Sequence, residues 1–281
     1  MGALSNTAKD KMLNHLFNNV DLAPAANVYL ALCTTTPDAT KTGATIVEVT
    51  NANNYSRKAI AFSAASSRKV IQNGVVTFDQ ATGAWGTVTG WAIVESATWG
   101  AGNMLAFGAF TASFGVVSGN TPSIASTQVQ VQVNATAAGA GLSDYSVHKL
   151  LDRLFRNQAF ACPATYLTLF TAVLSDSTTA FTNELTNAGS FARKLVNANG
   201  GASPAWTLSS GGGGTLNNGA AATFVTPTAA WATFTSLAIV DGGTLGAGNI
   251  LGYDNTNIVD QGAGIGDTVQ FNTSQLSASL T

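Results

Sequence analysis

The chain has 281 residues, of which 46% are hydrophobic and only 9% charged, with a net charge of −2. That length allows one or two domains, each able to form a core without disulfides or metals. The apolar content excludes a disordered chain, and with near-neutral halves, +1 and −3, there is no basic stripe to drive phosphate binding. A weakly charged surface suits close packing against other protein. Residues 1–11 carry no apolar run of the signal-peptide kind, and no apolar stretch reaches membrane-spanning length.

In chain order, Met12, Leu13, Leu16 and Phe17 share one face of a short helix, with Ser5 as its N-cap. Residues 28–33 form a strand. A polar loop leads to a strand around 59–62 and another ending at Phe78. The strongest strand pattern is 87–94. A Gly-Ala-Gly-Asn turn at 100–103 precedes a strand at 104–110, and strict polar/apolar alternation marks 128–133 as a closing strand.

The same order then recurs. Residues 4–17 match 142–155 at six of fourteen positions, 48–58 match 184–194 at six of eleven, and 85–103 match 231–249 at eleven of nineteen. The second series has a helix with Leu150, Leu151, Leu154 and Phe155 on one face, capped by Ser143. Its strands fall at 166–171, ending at Phe224, 233–240, 250–253 and 271–280. The offset grows by ten between Lys194 and Trp231, where glycines at 200–201 and 211–214 mark a loop insertion. The small, uncharged stretch 134–141 reads as a linker. The expectation is a mainly β chain of two tandem antiparallel sandwich or jelly-roll-like domains, 1–136 and 137–281, each with one short N-terminal helix.

The duplication also serves as a control for chemistry. His15 aligns with Arg153 and His148 with Asp10, so neither histidine is repeated. Cys33 and Cys162 sit at non-equivalent places among apolar residues, which disfavours a shared disulfide or metal site. Gly214 is followed by Thr215-Leu216 rather than the Lys-Ser/Thr of a phosphate loop, and Leu105 and Leu251 stand where a dinucleotide fingerprint needs its third glycine. No catalytic, cofactor or metal residues are expected. The repeated charges are Glu48/Glu184, Arg57/Arg193 and Lys58/Lys194, with the acidic pair Glu95/Asp241. Glu and Arg either contact a partner or pair within each copy to pin a loop to the sheet. Trp85 and Trp231 are repeated, as core or interface anchors would be. Trp91, Trp99 and Trp206 are not, which makes them candidates for a binding surface, including a lectin-like one.

These motifs resemble a family of small bacteriophage virion proteins, often labelled tail fibre proteins. The resemblance rests on the helix ending in Leu16-Phe17, the strand and Thr-Thr-Thr-Pro step at 28–37, Tyr55-Ser56-Arg57 and Phe191-Ala192-Arg193. It continues through the Trp85 and Trp231 segments and the Gly-Asn turns. It implies a virion structural role, assembly in the bacterial cytoplasm, and neither catalytic residues nor cofactor. The implied partners are other virion proteins, the major capsid protein or alternatively tail proteins, and further copies of the chain. Two globular copies without heptads point first to a capsid decoration (cement) protein, with a tail-fibre or tail-tip adaptor as alternative.

Overall fold

In the computed structural model, the described residues are 1–135, 139–197, 206–207, 214–256, 258 and 261–280. The glycines at 200–201 and 211–213 and the middle of the inter-repeat joint, 136–138, lie outside them.

The first repeat runs β1 (Ala3–Leu4), α1 (Asn6–Phe17), β2 (Val28–Cys33), β3 (Lys58–Ile60), β4 (Lys69–Ile71), β5 (Val76–Thr77), β6 (Gly86–Val94), β7 (Met104–Val116), β8 (Ser123–Ile124) and β9 (Gln130–Gln132). The second runs β10 (Ala140–Leu142), α2 (Asp144–Arg156), β11 (Thr165–Phe170), β12 (Lys194–Asn197), β13 (Thr215–Asn217) and β14 (Ala222–Thr223). It continues with β15 (Trp231–Phe234), β16 (Ser236–Val240), β17 (Ile250–Asp254), β18 (Gln261–Ala263), β19 (Gln270–Phe271) and β20 (Ser277–Ser279). Each repeat builds one five-stranded antiparallel sheet, ordered β1-β7-β6-β2-β3 and β10-β17-β16-β11-β12, accompanied by two-stranded ladders such as β4-β9 and β13-β20. The protein is thus mainly β and antiparallel, with one helix per repeat. The strand expected over 233–240 is broken: Thr235 leaves the ladder between β15 and β16, its N–H donating to the Phe170 carbonyl at 2.8 Å. β4 went unread because three residues, Lys-Val-Ile, are too short to show a period.

Central strands are buried on both faces. Alternation along β2 sends Leu30 and Leu32 one way, opposite Ile93 and Trp91, and Ala31 and Cys33 the other way, opposite Ala92 and Gly90. The second face forms a cluster of Ala31, Cys33, Ile46, Ala92, Val94 and Met104. Its counterpart holds Phe170, Leu174, Ala238, Val240, Ile250 and Tyr253. Both sheets carry the same β-bulge, since register slips between Ile93 and Val94 and again between Ile239 and Val240, leaving Leu105 and Leu251 unpaired.

The bulge receives the helix. Ser5 caps α1 by accepting the Ala8 N–H at 3.1 Å, and Ser143 caps α2 by accepting the Ser146 N–H at 3.2 Å. Their hydroxyls donate to the Met104 and Ile250 carbonyls, and their own N–H groups donate to Leu105 and Leu251 at 2.9 and 3.0 Å. Each helix is therefore aimed by its own repeat.

The compact units nevertheless exchange the rest of the helices. One unit comprises Met1–Asp10, Ala23–Val133 and His148–Phe160, the other Lys11–Leu22, Asn134–Val147 and Ala161–Thr281. In the first unit Phe155 packs on Phe62 with ring centroids 5.3 Å apart. There Asp152 accepts the Ala65 N–H at 2.8 Å and His148 Nε2 accepts the Arg68 N–H at 3.0 Å. In the second, Phe17 packs on Trp206 at 5.1 Å and Asn18 donates to the Thr207 carbonyl at 3.0 Å. Helices of 12 and 13 residues are marginal alone. Burial of Leu13, Leu16 and Phe17, or Leu150, Leu151 and Leu154, at about 1.5–3 kcal/mol per side chain, is what holds them.

Candidate functional site

Four of the residues singled out by repetition meet in two buried ion pairs. β3 begins just after Arg57, and the loop before it carries Glu48. The Arg57 guanidinium donates from Nε and Nη2 to the Glu48 carboxylate, the shortest contact being 2.7 Å, with both side chains essentially inaccessible. Its remaining hydrogens go to carbonyls: Gly43 at 2.8 Å from Nη2, and Ser96, Thr98 and Ala101 at 3.0, 2.7 and 2.8 Å from Nη1. One side chain thus ties the loop after β2, the loop after β6 and the Gly-Ala-Gly-Asn turn together. Glu48 also accepts the Tyr55 hydroxyl at 2.8 Å, and the Tyr55 oxygen accepts the Leu32 N–H at 2.9 Å. Burial, reinforced by Glu48, pushes the Cys33 thiol and the Tyr55 phenol well above their ordinary ranges.

The second unit repeats the arrangement with substituted parts. Arg193 donates to Glu184 from Nε at 2.6 Å and Nη2 at 2.9 Å, and to the Gly242 and Ala247 carbonyls at 2.6 and 2.8 Å. Phe191 stands where Tyr55 stood and has no hydroxyl. Thr168, in the place of Ala31, supplies one instead and donates to Glu184 at 2.5 Å. The Gly246 N–H donates to the same carboxylate at 2.7 Å. The guanidinium carbon lies 4.8 Å from the Phe181 ring centre.

The glycine turn is explained by this clamp. Gly100 and Gly102 have φ of +70° and +82°, and Gly246 and Gly248 +75° and +95°. Within these turns the Ala101 and Ala247 carbonyls face the arginine, and in the second the Gly246 N–H faces the paired carboxylate. Glu95 and Asp241 hold the turn from outside by accepting from the side chains of Asn103 and Asn249, each at 2.7 Å. Lys58 reaches Asp79 at 2.6 Å on the surface.

Trp85 and Trp231 are buried and anchor matching aromatic triads. Trp85 stands edge-on to Tyr55 at 5.1 Å while Tyr55 stacks with Phe78 at 6.1 Å. Trp231 stands edge-on to Phe191 at 5.1 Å while Phe191 stacks with Phe224 at 5.8 Å. Their indole N–H groups donate to the Asn53 and Gly189 carbonyls at 2.9 and 3.0 Å. In the first unit clamp and triad share Tyr55, so ion pair and aromatic core form one framework there; in the second, Phe191 belongs to the triad alone and Thr168 completes the clamp.

The unrepeated tryptophans do not form a common surface. Trp91 is 1% exposed, because register puts it on the inward face beside Leu32, and Trp206 is 4% exposed beneath Phe17. Trp99 is 43% exposed, with its N–H donating to the Val49 carbonyl at 2.9 Å. The sequence reading missed Gln72 and Asn218, two buried amides in equivalent places. Gln72 donates to Gly74 and Ile124 and accepts from Val129. Asn218 donates to Ala220 and Asn272 and accepts from Leu276. Polar residues are so abundant here that neither stood out.

His15 is buried, its Nδ1 accepting the Leu22 N–H at 3.1 Å and lying 3.2 Å from the Cys162 sulfur. Among the described residues no three of His, Cys, Asp and Glu are grouped as metal ligands, and no helix is long and apolar enough to cross a membrane.

Two β units, each stiffened by an Arg–Glu clamp and an aromatic triad, define a duplicated structural scaffold. The family model of the podophage GP4 fiber I protein gp80 matches residues 3–132 and again 141–279, and the chain belongs to that family, in two tandem copies. This places it among phage virion structural proteins. No curated protein matches the chain.

Proposed function

We propose that the chain is a non-catalytic fibre component of a phage particle that presents two similar units for contact with other virion proteins. The observation that carries this is the fibre-family match running through both copies. The structure supports it, since the repeated charged residues Glu48, Arg57, Glu184 and Arg193 are spent on internal loops rather than aimed at a substrate. Exposed apolar side chains such as Trp99, Val47, Val117 and Val173 supply contact area without charges to desolvate. Capsid decoration is the second reading, favoured by the low overall charge and by duplication, which would let one chain engage two neighbouring coat subunits. Quantitative mass spectrometry of purified particles separates them. A handful of copies per particle supports the fibre reading, hundreds support decoration, and absence from the particle refutes both.

A further inference from the structure

The two units fill one interior place differently. In the first, Trp91 lies opposite Gly108 in the β6-β7 ladder, and Gly2 bridges to Val131. The ring sits so close that a Cβ on Gly2 would be 2.3 Å from it and one on Gly108 2.6 Å. The same registers in the second unit put Leu237 opposite Asp254, Asp254 opposite Ala140, and Ala278 in the ladder position of Val131. A tryptophan and a valine have become leucine and alanine, while two glycines have become alanine and aspartate. Side chains have been added where the indole rested, yet its space has not been refilled. A cavity of about 250 Å³ remains, walled by Phe17, Trp206, Leu237, Ile239 and Ala278, with Asp254 beside it.

We infer that this cavity binds a small, flat ring compound of indole or phenol size that is neutral or cationic and carries an N–H or O–H donor. One side of the cavity is apolar and rewards burial of a ring, as an apolar cavity of roughly 150 Å³ takes up benzene, while Thr256, Ser277 and Ser279 line the rest. The first unit accommodates an indole of its own in the matching place. The polar end is set by Asp254, whose Oδ1 accepts the Thr256 N–H and hydroxyl, both at 2.7 Å, which fixes the carboxylate. Among the described residues no Lys or Arg lines the cavity, so an anionic ligand would meet the Asp254 carboxylate.

Calorimetric titration of the full chain with tryptamine, indole and indole-3-acetate tests this. One saturable site per chain is expected, with tryptamine about tenfold tighter than indole, as one charge-assisted hydrogen bond provides, and indole-3-acetate weakest. Asp254→Asn, which keeps the shape, should bring tryptamine and indole to the same affinity. The triple variant Ala140→Gly, Leu237→Trp, Asp254→Gly restores three of the four first-unit residues, returns an indole to the cavity and should abolish binding. Absence of saturable binding to the native chain, or tryptamine preference surviving Asp254→Asn, overturns the inference. So does binding that persists in a folded triple variant.

Discussion

Replacing Arg57 by alanine should be the most damaging single change in the first unit. The substitution leaves the Glu48 carboxylate buried with Tyr55 as a remaining donor, and deprives the Gly43, Ser96, Thr98 and Ala101 carbonyls of theirs. Truncating one partner of a buried ion pair costs about 3–5 kcal/mol. The lost carbonyl contacts place this case at the upper end, because hydrogen bonds to a charged donor contribute about 1.5–3 kcal/mol each. For units of this size about 5 kcal/mol corresponds to a fall in melting temperature on the order of 10–20 °C. Calorimetry of Arg57→Ala beside wild type reads the shift. Arg57→Lys should recover less than half, since an ammonium cannot span a carboxylate and the carbonyls of two loops at once. A loss below about 1 kcal/mol in Arg57→Ala would refute the reasoning, as only exposed pairs are that weak.

The equivalent Arg193→Ala should cost about 3–5 kcal/mol, read by denaturant unfolding of the second unit. Gly108→Ala should destabilise by about 1–3 kcal/mol, because the new methyl meets the Trp91 ring, whereas Asp254→Ala at the matching place should be tolerated; thermal melts compare them. Native chain treated with a maleimide at pH 8 should leave Cys33 unlabelled, its thiol being buried and its ionisation pushed up, and denatured chain should label there; peptide mass spectrometry decides. The Asp79 carboxyl is held below its ordinary range chiefly by its hydrogen bond from Lys58. A lowered folded-state value adds stability above the ordinary carboxylate range and loses it as pH falls through the folded value. Melting curves of wild type and Asp79→Asn should therefore differ slightly at pH 7 and coincide in strong acid.

Much of the fold was legible because the chain states it twice. Leu4 through Phe17 and its copy announced the capped helix, and the Trp85 and Trp231 segments announced the central hairpin with its glycine turn. The pairing of Glu48 with Arg57 was one of two open readings, resolved once both side chains could be placed in space. The exchange of helices was not legible: an amphipathic face shows that it will be buried, not which sheet will bury it. Trp91 and Trp206 misled for a related reason. Non-repetition suggested a surface role, but Trp91 differs from Leu237 because the cores were repacked in concert with Gly2, Gly108 and Val131. Trp206 replaces Phe62 against a helix phenylalanine, and both bridge a buried amide residue, Asn218 or Gln72. Such exchanges follow register, which a linear comparison does not contain.

The exchange of helices constrains how this chain can change over generations. A duplicated gene is ordinarily free to shed a copy, since each half encodes a finished product. Here the second repeat encodes Phe155, which covers Phe62 in the first, and the first encodes Phe17, which covers Trp206 in the second. Deleting either repeat would strip the survivor of a wall of its core unless a second molecule lent the missing helix. Each half can therefore diverge in its cavities and surface only so far as the helix it lends still fits the other.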